Sequence, residues 1–127
     1  MSSDTTWASA IGRYRRAVDR YYACLQMMPE RALRQELSQL GRPLRAVLDD
    51  FDQARAARRP VDPARDAGDV AAIHRAATLC AHATEAALMA NEAAWRYDAD
   101  GMARCLDTVA LMIKKIDELG DEVKPLS

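Results

Sequence analysis

Hydrophobic side chains recur every three or four residues through most of the chain. This spacing is typical of one face of an α-helix that packs against other helices. The first two series are Trp7, Ile11, Tyr14, Val18, Tyr21, Leu25 and Met28, then Leu33, Leu37, Leu40, Leu44, Val47, Phe51 and Ala54. The next two are Ile73, Ala77, Cys80, Thr84, Ala87, Leu88, Asn91 and Trp95, then Met102, Cys105, Leu106, Val109, Met112, Ile113, Ile116, Leu119 and Val123. The pattern predicts four long helices.

Prolines and glycines mark where these helices end. We expect helices at about 5–28, 30–57, 69–97 and 101–119, with a connector at 58–68. The third helix could begin after Asp62 or at Asp69, and Gly68 favours the later start. Pro43 falls inside the second helix and cannot donate a backbone hydrogen bond. The series keeps its phase across Pro43, so we predict one helix that is kinked there.

Four such helices predict a single all-α domain over residues 1–127, arranged as an up-and-down antiparallel four-helix bundle. The chain contains 25 alanines and few β-branched residues, a composition that favours helices over strands. Short connections before the second and fourth helices should make those pairs antiparallel hairpins.

The charge is small overall but unevenly distributed. The net charge is −1, which gives no general attraction to nucleic acid or to a membrane surface. Residues 1–60 carry eleven arginines and seven acids, or +4, whereas residues 61–127 carry seven basic and twelve acidic groups, or −5. Cys24, Cys80 and Cys105 form no CxxC pair, and no signal sequence or long apolar segment is evident. We therefore expect a soluble, cytoplasmic protein that does not enter membranes.

Arg75 and His82 share one polar face of the third predicted helix, two turns apart. The pair resembles the Arg-x(4–6)-His motif of HEPN ribonucleases, which are also helical bundles. In that family the pair contacts the scissile phosphate across a dimer. The resemblance implies RNA cleavage, in which Arg75 would bind charge and His82 would move protons.

His74 suggests a second alternative. Histidine phosphotransfer domains are four-helix bundles of about this size with an exposed histidine on a long helix, and the chain resembles them in these respects. Their usual His-x-x-Lys-Gly surroundings are replaced here by Ala77 and Thr78. Neither histidine lies in the repeated glutamate and histidine pattern of a di-iron bundle. The sequence therefore predicts no metal and no cofactor.

Thr84 and Asn91 interrupt the predicted core face of the third helix. A buried asparagine is unfavourable unless it is hydrogen-bonded, and its best-attested role is to fix helix register or oligomeric state. A pocket formed by Thr84, Asn91 and Trp95 is the alternative explanation.

Arginines line the outer faces of the first two predicted helices. They are Arg13, Arg16 and Arg20 on the first, and Arg31, Arg34, Arg42 and Arg45 on the second. No aromatic residues alternate with them, which disfavours nucleic acid and favours an acidic or helical protein partner. Our leading hypothesis is a small interaction or adaptor protein without catalysis. It would bind another protein, or itself as a homo-oligomer, through a helix face. A HEPN-like ribonuclease and a phosphotransfer protein are the first and second alternatives.

Overall fold

The computed structural model of the protein describes residues 3–57 and 62–124, and all regular structure in these residues is α-helical. The helices are α1 (Ser3–Gln26), α2 (Arg31–Leu40), α3 (Arg42–Ala57), α4 (Pro63–Trp95) and α5 (Ala99–Val123). The predicted all-α class is confirmed, and the helices pack together as a bundle in which α2 and α3 follow one another along one side. None of the described helices has the length and apolar character needed to span a membrane.

The second predicted helix is divided into α2 and α3 by Gly41 alone, so the prediction of one helix kinked at Pro43 is not confirmed. Gly41 donates its backbone N–H to Leu37 at 3.0 Å and closes the last turn of α2. Pro43 has no N–H to offer the carbonyl of Gln39, so the helical ladder is broken at this point. The Gly41 carbonyl then accepts from Leu44 at 3.1 Å as α3 begins.

Three tyrosines of α1 bind the carbonyl groups around this break. Their hydroxyls donate from Tyr14 to Leu44 at 2.8 Å, from Tyr21 to Leu37 at 2.6 Å, and from Tyr22 to Gly41 at 2.8 Å. Burial raises the pKa of Tyr14 and Tyr21 well above the ordinary value, so both hydroxyls stay protonated and able to donate. The ring of Tyr14 also packs edge-on against Phe51, with centroids 5.1 Å apart.

The predicted start of the third helix at Asp69 is wrong, because α4 already begins at Pro63. Asp62 caps this helix: its side chain accepts from the backbone N–H of Ala64 at 3.1 Å and of Arg65 at 3.3 Å. Pro63 suits the first helical position, where no N–H is needed. Residues 58–61 of the predicted connector lie outside the described residues.

The other predicted helix ends differ by four residues or fewer. Helix α1 stops at Gln26, α4 stops at Trp95, and α5 begins at Ala99 and continues to Val123, beyond the predicted end at residue 119. Gly120 does not end α5: it is buried within the helix, and a Cβ atom there would lie 3.0 Å from a methyl carbon of Val47 in α3.

The neighbours around the bundle are, in order, α1, α4, α5 and α3. Helix α4 packs mainly against α5 and α1, whereas α3 and α4, consecutive in the described chain, scarcely touch. Arg13 of α1 contacts Thr78 of α4, and Pro29, just beyond α1, lies beside Asn91. Helices α1 and α4 therefore run in the same direction as neighbours. This order differs from that of a simple up-and-down bundle, in which consecutive helices are adjacent, and the predicted topology is not confirmed.

Alanines make this arrangement possible on α4. Ala76, Ala83, Ala87 and Ala90 are all fully buried, so α1 and α5 can both approach the α4 backbone closely. The core face predicted for this helix is wrong at its C-terminal end, where Leu88 is 51% and Trp95 67% exposed. Trp95 lies one turn beyond Asn91, where α1 has already ended.

Candidate functional site

Helices α1 and α4 enclose a groove of about 300 Å³ on the bundle surface. Its lining consists of three arginines and three alanines: Arg13, Arg16, Ala17, Arg20, Ala77 and Ala81. The four α1 residues follow helical spacing, and Ala77 and Ala81 lie one turn apart on α4. We call this feature the arginine groove.

Arg13 is held in place across the groove by α4. Its guanidinium donates to the His74 carbonyl at 3.2 Å and to the Thr78 hydroxyl at 2.9 Å. It also lies 3.3 Å from His74 Nδ1. A guanidinium has donors only, so Nδ1 is the acceptor if this contact is a hydrogen bond. None of these partners is an acid, so no carboxylate of the described residues neutralises the charge of Arg13.

Arg16 and Arg20 are exposed and form no ion pair with any residue that the structure describes. Arg15 provides a contrast on the same helix, since it lies 3.4 Å from Asp52 of α3. The arginine groove thus concentrates positive charge that the described part of the chain leaves without a carboxylate partner.

The remaining predicted arginines are elsewhere. Arg34 donates to the Met28 carbonyl at 2.9 Å, and Arg45 lies over the ring of Tyr22 at 4.5 Å. Arg31 and Arg42 are exposed on the α2–α3 side, away from the groove lining. The structure therefore separates the predicted binding surface into two groups and brings only the α1 group together with α4.

An apolar strip extends the arginine groove along the same edge. It consists of Met27, Leu88 and Trp95, which are 85%, 51% and 67% exposed. Leu88 and Trp95 follow Ala81 at intervals of seven residues, which places them on the same side of α4, and Met27 lies in the turn just after α1. The edge between α1 and α4 thus changes from basic to apolar along its length.

A second cavity, of about 270 Å³, opens at the end of this edge. It is lined by Pro29, Glu30, Asn91, Ala94, Trp95 and Tyr97, and we call it the end pocket. The Oδ1 atom of Asn91, one of the lining residues, is buried and accepts no hydrogen bond from the described residues. Of the three residues predicted to form a pocket, Asn91 and Trp95 do share one. Thr84 does not, because it is buried and donates to the Cys80 carbonyl at 3.0 Å.

Tyr97 was missed by the sequence analysis. It is 96% exposed, and its φ of 56° places it in the left-handed region. Its backbone N–H donates to the Ala94 carbonyl at 3.1 Å, and the Asp98 N–H donates to the Ala93 carbonyl at 2.9 Å. These two bonds form a Schellman motif, in which the residue at the position of Tyr97 is usually glycine. The sequence did contain a signal for this conformation: no glycine lies between Trp95 and Asp98, so another residue has to adopt the left-handed backbone that ends α4.

A larger groove, of about 470 Å³, lies between α4 and α5. Its charged lining has both signs: Glu92, Arg96, Asp98 and Arg104. Glu92 and Arg96 are paired at 2.7 Å, and Asp98 caps α5 by accepting from Gly101 at 2.9 Å. The two acids balance the two arginines in this lining, whereas all the charged residues of the arginine groove are basic.

The residues of the two catalytic alternatives lie on α4. Arg75 and His82 are exposed, and His82 Nδ1 is 3.8 Å from the Glu85 carboxylate. His74 is held by Arg13 as described above. No described group of three or more histidine, cysteine or acidic residues could hold a metal ion. Burial raises the pKa of the Cys80 thiol to about 12, which makes that side chain a poor nucleophile.

Comparisons with known proteins found no relative of this chain. No protein-family model matches it, and no curated protein or solved structure does so. The resemblances of Arg75 and His82 to HEPN ribonucleases, and of His74 to phosphotransfer domains, stay hypotheses drawn from the sequence.

Proposed function

We propose that this chain is a small interaction or adaptor protein that binds an acidic, amphipathic helix of a partner along the edge between α1 and α4. The observation that carries the proposal is the arginine groove, in which Arg13, Arg16 and Arg20 have no carboxylate partner among the described residues. Carboxylates of the partner would bind these guanidinium groups, and apolar side chains further along the same face of its helix would cover Met27, Leu88 and Trp95.

Both parts of the edge are needed for useful affinity. An exposed ion pair contributes only about 0.2–1 kcal/mol, so three arginines alone would bind a partner weakly. Burial of the exposed Met27 and Trp95 side chains adds a hydrophobic contribution that salt does not screen. Arg13 strengthens the site in another way: its contacts with His74 and Thr78 fix its side chain before the partner arrives.

The test uses a labelled helical peptide that carries, on one face, glutamates in one half of its length and leucines in the other half, with fluorescence anisotropy as the readout. Arg16→Glu combined with Arg20→Glu should weaken binding at least tenfold, because two attractions become repulsions. The matched control is Arg31→Glu with Arg75→Glu, since both arginines are exposed and lie outside the groove lining. The two double variants change the net charge equally, so the control should bind within about threefold of the parent chain.

Equal losses in both double variants would show that the peptide recognises net charge and not the groove, and would overturn the proposal. Absence of binding to the parent chain would do the same. A second copy of the chain could also fill the edge, because α5 exposes acidic residues at Asp117, Glu118, Asp121 and Glu122. Light scattering tests this by measuring the oligomeric state. An oligomer that dissociates in the groove variant would mean that another copy fills the edge, and the partner-helix proposal would be wrong.

A further inference from the structure

We infer that the end pocket binds a cationic side chain with N–H donors, a lysine ammonium or an arginine guanidinium, from a protein partner. This inference does not depend on the arginine groove, because the two sites share no lining residue. The pocket combines an unpaired buried acceptor, an unpaired carboxylate and two exposed aromatic rings, and each of these favours a cation.

The buried acceptor is Oδ1 of Asn91. No described residue donates a hydrogen bond to it, and it is shielded from solvent. A buried acceptor without a donor is unfavourable, so a rotation of the Asn91 side chain that turns Oδ1 towards an N–H group of the occupant removes this cost on binding. A purely apolar occupant would leave the cost in place.

The carboxylate belongs to Glu30, which is exposed in the turn between α1 and α2 and makes no side-chain cap for α2. No ion pair links it to a described cation. The neighbouring basic residues are engaged otherwise, since Arg34 donates to the Met28 carbonyl and Arg96 pairs with Glu92. Asp98 lines the adjoining cavity together with Glu30 and Tyr97, which makes the surroundings more negative.

The rings of Trp95 and Tyr97 complete the lining. The faces of aromatic rings carry negative potential and attract ammonium and guanidinium groups. The left-handed backbone of Tyr97 is significant here, because glycine would adopt it without strain. The chain nevertheless has an aromatic ring at this position, and strained residues of this kind are concentrated at binding sites.

The size of the end pocket agrees with a side chain as the occupant. About 270 Å³ is below the range of about 300–1,000 Å³ typical of pockets for drug-sized ligands and cofactors. A single long cationic side chain suits this space, with its methylene groups against Pro29 and Ala94 and its charged end near Asn91 and Glu30.

The inference is tested by NMR titration of the full chain with three amino-acid probes, each acetylated and amidated: arginine, lysine and Nε-trimethyllysine. All three carry one positive charge, but only the first two have N–H donors on it. Arginine and lysine should shift the Asn91 side-chain amide and the Trp95 indole signals in a saturable way. Trimethyllysine should bind about two- to tenfold more weakly, the equivalent of one hydrogen bond.

Three variants identify the groups responsible. Glu30→Gln, Asn91→Leu and Tyr97→Gly should each weaken arginine binding severalfold, whereas Glu85→Gln, an exposed acid beside His82, should not. Tyr97→Gly removes the ring at a position that favours glycine, so its thermal midpoint should not fall. The double variant Arg16→Glu with Arg20→Glu should bind the probes as the parent chain does. A failure of the end pocket can then be distinguished from a failure of the arginine groove.

Two results would overturn the inference. One is the absence of saturable shifts at Asn91 and Trp95 with either arginine or lysine. The other is trimethyllysine binding as tightly as lysine, since Asn91 would then receive no hydrogen bond from the occupant.

Discussion

Gly41 and Tyr97 show how much a single position can constrain the fold. A Cβ atom on Gly41 would lie 2.6 Å from Cε1 of the buried Tyr21 ring, so only glycine allows α1 to approach the break between α2 and α3. Tyr97 is the opposite case. Glycine would adopt its left-handed backbone conformation without strain, yet the chain has a tyrosine at this position. We attribute the first choice to packing and the second to binding in the end pocket.

Gly41→Ala should therefore lower the free energy of unfolding by about 1–3 kcal/mol, since the buried ring of Tyr21 must shift to admit the methyl group. Gly68→Ala is the control: it lies within α4 with nothing within 4 Å of the new methyl group. That change should stabilise the protein by about 0.5–1 kcal/mol through helix propensity. Urea unfolding followed by circular dichroism measures both. Similar values for the two variants would contradict the close contact at Gly41.

At the level of elements, α1 stabilises the interrupted α2–α3 segment through its tyrosines. A carbonyl oxygen has two lone pairs, so the Leu37 carbonyl, which already accepts from the Gly41 N–H at 3.0 Å, can accept a second hydrogen bond. Tyr14 and Tyr21 supply hydroxyl donors to Leu44 and Leu37 from inside the core. The break between α2 and α3 is therefore stabilised by hydrogen bonds from tyrosines of the neighbouring helix α1.

These hydroxyls predict a steep loss of stability in alkali. Burial raises the pKa of Tyr14 and Tyr21, so above about pH 10 the unfolded chain releases protons that the folded chain still holds. Each tyrosine then lowers the free energy of unfolding by about 1.4 kcal/mol per pH unit, and below pH 10 this contribution is constant. Urea unfolding at intervals from pH 8 to pH 11 measures the slope.

Tyr14→Phe separates the two roles of the hydroxyl. At pH 8 the variant should be less stable by about 1 kcal/mol, because the buried hydrogen bond from the Tyr14 hydroxyl to the Leu44 carbonyl is lost. Above pH 10 its stability should fall less steeply than that of the parent, since one ionising group is gone. An unchanged slope would mean that Tyr14 ionises in the folded protein as it does in the unfolded one.

At the level of the whole molecule, the order of neighbours creates the binding edge. Because α1 lies beside α4, the arginines of α1 meet the alanines of α4, and the end pocket opens where α1 stops. The midpoints of Ala77–Ala81 and Asn91–Trp95 are about 14 residues apart on α4, or roughly 21 Å. One partner helix of moderate length could therefore reach both sites.

A peptide that carries both an acidic cluster for the arginine groove and a cationic side chain for the end pocket should bind more tightly than a peptide with only one of them. We expect at least a tenfold gain over the acidic helix when a lysine or arginine lies about 14 residues from the centre of the acidic cluster. A second peptide, with the cation only seven residues away, faces the same side but falls about 10 Å short of the pocket and should show no gain. Anisotropy titrations compare the two peptides. Equal affinities would indicate that the sites do not act on one helix.

Residue patterns along the chain were enough to predict helices, their approximate extents and most of the core. Spacings of three and four report which side of a helix is apolar, and this is a local property, so the α1 series from Trp7 to Met28 is buried throughout. The exposed arginines Arg13, Arg16 and Arg20 were also predictable, because the same spacing places them away from the apolar face.

Which helices become neighbours was decided only by the tertiary structure, since periodicity describes each helix by itself and carries no information about its partner. The local pattern placed Leu88 and Trp95 in the core, but α1 ends too early to cover Trp95. The arginine groove depends on α4 lying beside α1, and the end pocket on Pro29 and Glu30 meeting Asn91. Both sites join residues about 60 positions apart in sequence, which only three-dimensional packing brings together.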